Sequence, residues 1–164
     1  MKLSHHAIYR CEPQFYLEQY FDAEKRAERE VKGCGTVEWK VLEASREGDV
    51  WSHVAEAFER VNAPGPVRKI FGETTRVQEH ATWRRGTHLI ELEHVPGTMR
   101  SKMTLQSRIR AEATGDGSTR ITIDLEVKAK IFVVGGLIEK LAVKEMPTHI
   151  DKDAAYFNAH IAPR

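Results

Sequence analysis

The stretch RITIDLEVKAKIFVVGGLIEK, Arg120 to Lys140, changes its period part-way along. Ile121, Ile123, Leu125, Val127, Ala129, Ile131 and Val133 alternate with Arg120, Thr122, Asp124, Glu126, Lys128 and Lys130. Successive side chains of a strand point to opposite faces, so this pattern predicts a long strand with one dry face and one wet one. Beyond Gly135-Gly136, the residues Ile138, Ala142, Met146, Ile150, Ala154, Phe157 and Ile161 recur at spacings of three or four. That is the apolar stripe of one long helix, with Glu139, Lys140, Lys144, Asp151 and Lys152 largely on its other side. Pro147 lies inside the stripe and is expected to kink or interrupt the helix. The two glycines match neither GxxxxGK(S/T) nor GxGxxG, which argues against a phosphate-cradling loop. The apolar run from Ile131 to Ile138 is also far shorter than the ~20 residues that span a bilayer. The glycines read as the joint at which the chain leaves a sheet and turns into a helix lying across it.

Working outward from this joint, the rest of the chain divides in the same way. A first strand is expected over about Leu3 to Arg10. Phe15, Leu17, Tyr20 and Phe21 are close to helical spacing, and Asp22 to Lys32 is charged nearly all round with good helix formers. Gly33-Cys34-Gly35 ends that segment. From Thr36 the period is two. Turn signals at Glu47-Gly48, Pro64-Gly65-Pro66, Arg85-Gly86, Pro96-Gly97 and Gly115-Asp116-Gly117 cut the region into about six strands, seven with the first.

A hairpin must place inward residues opposite inward residues, which makes the registers testable. A two-residue loop at Arg85-Gly86 pairs Trp83 with His88, Ala81 with Ile90, Glu79 with Leu92 and Val77 with His94. A two-residue loop at Pro96-Gly97 pairs His94 with Met99 and Ile90 with Met103, although Pro-Gly prefers a type II turn that fits a tight hairpin less well. Matching Leu105, Ile109 and Ala111 to Ile121, Ile123 and Leu125 requires an odd number of loop residues near Gly115 to Ser118, with a bulge. Arg108 and Arg110 then face Asp124 and Glu126 on the outside.

At 164 residues the chain has the length of one domain, residues 1–164, burying roughly 70% of its unfolded surface. With 30% charged and 41% apolar residues the composition is that of a globular protein. A formal charge of +1 argues against a broad basic face for nucleic acid. Cys11 and Cys34 are the two cysteines, with no CxxC. That fits a reducing compartment and offers no metal framework. MKLSHHAIYR at the amino terminus lacks the continuous apolar core of a signal peptide, so a cytoplasmic location is expected.

Strand, helical segment, six antiparallel strands and a long amphipathic helix is the order of a helix-grip fold. The succession resembles the START-like superfamily, also called SRPBCC or Bet v 1-like. RVQEHATW at Arg76 to Trp83, VPGTMRSKMTL at Val95 to Leu105 and IFVVGGLIEK at Ile131 to Lys140 look like an uncharacterised bacterial family within it. The resemblance implies an α+β fold, with a curved seven-stranded antiparallel sheet gripping the final helix and an apolar cavity between them. It also implies a small hydrophobic or amphipathic, lipid-like ligand, since superfamily members bind lipids, sterols, plant hormones or polyketides. A minority catalyse cyclisation or related chemistry. No cofactor and no catalytic motif carry over, and fold analogy sets no activity by itself.

Within that frame the inward set offers Glu79, His88 and His94 on an apolar wall with Ile90 and Leu92. A carboxylate near an imidazole there could hold a ligand's polar head, act as an acid/base pair, or form a satisfied core hydrogen bond. Trp39, Trp83, Met99 and Met103 are flat or adaptable surfaces suited to a cavity wall, and equally to a filled core. Leu125 on the last strand, with Ile138 and Ala142 on the helix, completes the expected ligand-binding set. A metal site is not expected. His5 and His6 point to opposite faces of a strand, and no HExxH spacing occurs among the eight histidines. Cys34 between two glycines has no base supplied by the sequence, and no GxSxG is present. Arg84-Arg85 and Arg68-Lys69 read as solvated turns that could guide an anionic ligand or touch a membrane surface transiently. Three readings follow: a non-enzymatic binder of a hydrophobic ligand, a cyclase or hydratase-like enzyme using Glu79 with His88 or His94, and an interaction module with a filled core.

Overall fold

The computed structural model describes residues 1–164. Seven strands form one curved antiparallel sheet: β1 Lys2–Tyr9, β2 Glu38–Ser45, β3 Val50–Arg60, β4 Thr74–Arg84, β5 Leu89–Pro96, β6 Met103–Ala113 and β7 Thr119–Ala129. The spatial order β1-β7-β6-β5-β4-β3-β2 leaves β1 and β2 as the two edges, and a bulge between Val41 and Glu43 breaks the ladder of β2. Helix α1, Pro13–Tyr20, begins with proline at a position where no amide donor is needed. Helix α2, Ala23–Glu28, is capped by Asp22, whose carboxylate accepts from the Lys25 amide at 2.9 Å. It runs on as a π-helical turn, Arg29–Cys34, and stops at Gly35 with φ of 82°. Helix α3 is Gly65–Phe71, and the long α4 is Gly135–His160. Laid against the concave face, α4 makes the α+β helix-grip arrangement expected from the sequence.

The main core lies under α1 and the second half of α4. Tyr9, Tyr16, Leu17, Trp83, Ile90, Ile121 and Phe157 are almost wholly removed from water there. Tyr9 and Phe157 meet edge to face at 5.2 Å. A smaller cluster joins Val67 of α3 to Val134 and Ile138 at the start of α4.

Two registers differ from the expected ones, each by an even number of residues. Four residues, Arg85–His88, connect β4 to β5, so Trp83 faces Ile90 and Glu79 faces His94. The loop closes on itself: Trp83 Nε1 donates to the Thr87 carbonyl at 2.9 Å, and Thr87 donates through its amide and hydroxyl to the Arg84 carbonyl. His88 therefore leaves the ladder and is exposed. Between β5 and β6 the chain makes a 3₁₀ turn, Arg100–Lys102, preceded by Met99 at φ 60°, and Ile90 pairs with Ile109 rather than Met103. Met99 thus lies in a connection, off the wall it was expected to form. Even slips keep every side chain on its expected face, because the pleat has period two. The β6–β7 loop has the odd length required, five residues from Thr114 to Ser118, with Gly115 and Gly117 at φ 88° and 84°.

Three further differences have local causes. Pro64-Gly65-Pro66 starts α3 rather than a bare turn, proline being as suited to a first helical turn as to a β-turn. The strand read as far as Val133 ends at Ala129, opposite Met103 at the start of β6, and one further backbone bond, from the Lys130 amide to the Lys102 carbonyl at 2.7 Å, closes the ladder. The chain then bends outward, leaving Phe132 and Val133 94% and 83% exposed, with Val133 at φ 69°. Helix α4 continues through Pro147 without a break. At the joint itself the two glycines are not equivalent. A Cβ on Gly135 would run into the Ala129 carbonyl oxygen, whereas one on Gly136 meets nothing. The Glu139 carboxylate then accepts from the Ala129 amide at 2.8 Å, tying the end of β7 to the first turn of α4.

Candidate functional site between sheet and helix

The pleat and the observed registers bring four polar side chains to the concave face of adjacent strands. Glu79 of β4 faces His94 of β5 directly, His53 of β3 lies diagonal to Glu79, and Ser107 of β6 lies diagonal to His94. His53 Nε2 is 2.8 Å from Glu79 Oε1, and His94 Nε2 is 3.2 Å from Ser107 Oγ. The row continues into the helical segment. Arg26 of α2 donates to Glu79 Oε2 at 3.1 Å and to Glu30 Oε1 at 2.8 Å, with its guanidinium 4.3 Å over the Tyr20 ring and 5.0 Å over Trp39. One turn later, Arg29 grips Asp153 of α4 through two parallel hydrogen bonds of 2.8 and 2.5 Å, and Tyr9 Oη donates to the same carboxylate at 2.7 Å.

Buried charge is tolerated here because each ion faces its opposite. Burial pushes the Glu79 carboxyl up, but the Arg26 guanidinium and the His53 hydrogen bond outweigh it and hold the group down at about 2. Asp153 is likewise held below the usual carboxylate range, its burial being outweighed by Arg29. For His94 burial prevails over Glu79 and lowers its pKa, which favours the neutral imidazole. Arg26 Nε and Arg29 Nη1 are buried without a protein acceptor. The site can thus hold fixed positive charge and a neutral imidazole beside a hydroxyl.

Residues 4–161 match the family described as Protein of unknown function (DUF2505). The chain belongs to that family. No curated protein matches its sequence. Among solved structures, it is similar to a START superfamily protein from Mycobacterium smegmatis, with a TM-score of 0.68 and 15% identity over 98% of each chain. It is also similar to the Zhui aromatase/cyclase from Streptomyces sp. R1128, with a TM-score of 0.66 and 14% identity over 99% of this chain and 97% of that one. Norcoclaurine synthase from Thalictrum flavum, solved with dopamine and hydroxybenzaldehyde, gives a TM-score of 0.62 and 13% identity over 99% and 89%. At such identities the likeness establishes the START-like helix-grip fold and nothing finer.

In this DUF2505 protein the expected ligand-binding residues divide into four groups. Glu79, His94, Leu92 and Leu125 share the concave face, with Trp39 at its β2 end under Arg26. Ile138, Ala142 and Met103 stand at the first half of α4 and the start of β6. Trp83 and Ile90 are sealed in the main core beneath α1, and His88 and Met99 lie in loops. Arg26, Arg29, Glu30, His53 and Asp153 were not anticipated. One signal was available: Asp153 interrupts the apolar stripe Ile150, Ala154, Phe157 of α4, and a carboxylate there needs a buried cation.

Along the first half of α4 several inward positions remain partly accessible. Inward-facing Val77, His94, Met103 and Leu105, and Leu141, Ala142 and Met146 opposite them on α4, all keep partial exposure. A surface depression of about 860 Å³ lies elsewhere: ten of its fourteen lining residues, Glu91, Gln106 and Arg108 among them, belong to the outward face. Leu3, Leu92, Ser107 and Leu125 complete its lining, and Glu79 and His94 are not part of it. No helix of the chain is long and apolar enough to cross a membrane.

Proposed function

We propose that this DUF2505 protein is a one-domain, cytoplasmic binder of a small hydrophobic or amphipathic molecule. The ligand lies in the groove between the sheet and the first half of α4, its apolar part against Leu92, Met103, Leu105, Leu125, Ile138 and Ala142. Its polar end meets the row His94, Ser107 and Glu79. The observation that carries this reading is the partial exposure of inward positions along that half of α4, beside a main core whose central residues are sealed. Apolar walls with a few convergent polar groups are the usual composition of a small-molecule site. The START-like fold supports the same reading by analogy.

Acid–base catalysis by Glu79 is the weaker alternative. A carboxylate held at about 2 by Arg26 and His53 is a poor proton acceptor near neutral pH, and His88 is too distant to assist. The test is uptake of a fluorescent fatty-acid probe, with native mass spectrometry of protein taken from cells. Saturable uptake that falls at least roughly tenfold in Leu105→Trp, at unchanged thermal stability, is the expected result. Absence of any adduct, or uptake indifferent to Leu105→Trp, would remove the groove as the binding site.

A further inference from the structure

Three donor atoms of different chemistry meet on the far side of Arg26 from the groove. Glu30 and Cys34 lie one turn apart on the π-helical turn, and His149 stands on α4. A carboxylate oxygen, the thiol sulfur and a ring nitrogen of the three all lie within 4.8 Å of one another. Glu30 Oε2 is 3.3 Å from His149 Nε2, and Cys34 Sγ is 3.7 Å from the His149 carbonyl oxygen. The carboxylate is positioned by other groups. Arg26 donates to its Oε1 at 2.8 Å, and Thr36 Oγ1 donates to its Oε2 at 3.1 Å. The two elements that carry the donors are also locked together. A Cβ on Gly33 would come within 2.8 Å of the Tyr156 side chain, so only glycine lets the turn approach α4 this closely, and Tyr156 Oη donates to Glu28 at 2.6 Å.

We propose that Glu30, Cys34 and His149 bind one divalent ion of the zinc class, through one carboxylate, one thiolate and one imidazole. Bond lengths of about 2.0–2.3 Å place the ligand atoms of a tetrahedral zinc about 3.5 Å apart, so side-chain adjustments of about an ångström close the set. A mixed sulfur, nitrogen and oxygen set selects a borderline ion over magnesium or calcium, which take oxygen ligands. Binding releases to solvent the Cys34 thiol proton and the His149 ring proton held in the ion pair with Glu30. Cys34 and His149 also border a depression of about 260 Å³, with Thr36, Glu59 and Glu145 on its other walls. The fourth position opens onto it, as in sites that keep a water or a ligand on the metal.

The competing account is an ion pair between His149 and Glu30 with Cys34 a bystander, and the two differ in the thiolate. Co²⁺ is titrated anaerobically into the reduced full chain. One equivalent should bind with the visible bands of a tetrahedral site and a near-ultraviolet thiolate-to-cobalt charge-transfer band, and Zn²⁺ should displace it. Cys34→Ser leaves the ion pair in place, so it should keep the circular dichroism of the parent. It should lose the charge-transfer band and bind at least roughly tenfold more weakly. His149→Gln should weaken binding similarly. Absence of saturable uptake, absence of the charge-transfer band, or Co²⁺ binding unchanged in Cys34→Ser would each overturn the site.

Discussion

The two ends of the space between sheet and helix are built on opposite principles. Under α1 and the second half of α4, packing does the work: Tyr9, Tyr16, Trp83, Ile121 and Phe157 interlock with essentially no exposure. Under α2 and the first half of α4, Arg26, His53, Glu79 and His94 occupy the same concave face, and nearby inward side chains still reach water. Arg29 and Asp153 form the seam, with the guanidinium 5.1 Å from the Phe157 ring on one side and Arg26 one turn away on the other. The difference teaches where the molecule is free to vary. A close-packed end fixes the fold, and the polar end is where the proposed ligand would sit.

Cutting the seam should have the largest effect. Arg29→Met leaves Asp153 buried without its cation and should cost about 3–5 kcal/mol in urea unfolding. The double variant Arg29→Met/Asp153→Leu should be clearly more stable than Arg29→Met alone. Two truncations then compare the ends directly. Phe157→Ala should cost about 3–5 kcal/mol, whereas Leu105→Ala, half-exposed in the groove, should cost about 1 kcal/mol or less. Equal losses would mean that the groove is as tightly packed as the core. At the joint that aims α4, Gly135→Val should cost about 1–3 kcal/mol, and Gly136→Val should stay within about 0.5 kcal/mol. A last comparison is a matter of pH. Glu79 has its pKa lowered from 4.5 to about 2, so its contribution is complete above the unfolded value and is lost as pH falls from about 4.5 towards 2. Glu79→Gln should flatten the acid limb of a stability curve measured over that window, and an unaltered limb would show that other carboxylates govern it.

Much of the fold was legible because its signals are periodic. The connections at Arg85-Gly86 and Pro96-Gly97 are longer than their turn signals imply, yet the inward set stays inward, since the slips are even. What periodicity does not carry is where a strand runs out of partners, which is why Ile131 to Val133 read as sheet and are not. The site was less legible. Glu79 and His94 belong to the expected set, but the segment Asp22 to Lys32 reads only as a helix charged nearly all round, and charge in sequence is normally charge in water. Arg26 and Arg29 are buried only by virtue of Glu79 and Asp153, which lie 53 and 124 residues away. Likewise no spacing rule brings Glu30 and Cys34 to His149.

The position of β1 has a consequence for how the chain is made. Its only neighbour in the sheet is β7, and α4 packs along it, with Tyr16 of α1 against Tyr9 at its end. The first strand to be synthesised therefore waits for residues 119–160 before it can pair, while β3 to β6 form from hairpins already present. Closing so long a loop late carries an entropic cost before any contact rewards it. Folding should accordingly show a rapid central meander followed by a slower docking of β1 and α4, with the apolar face exposed to chaperones in the interval.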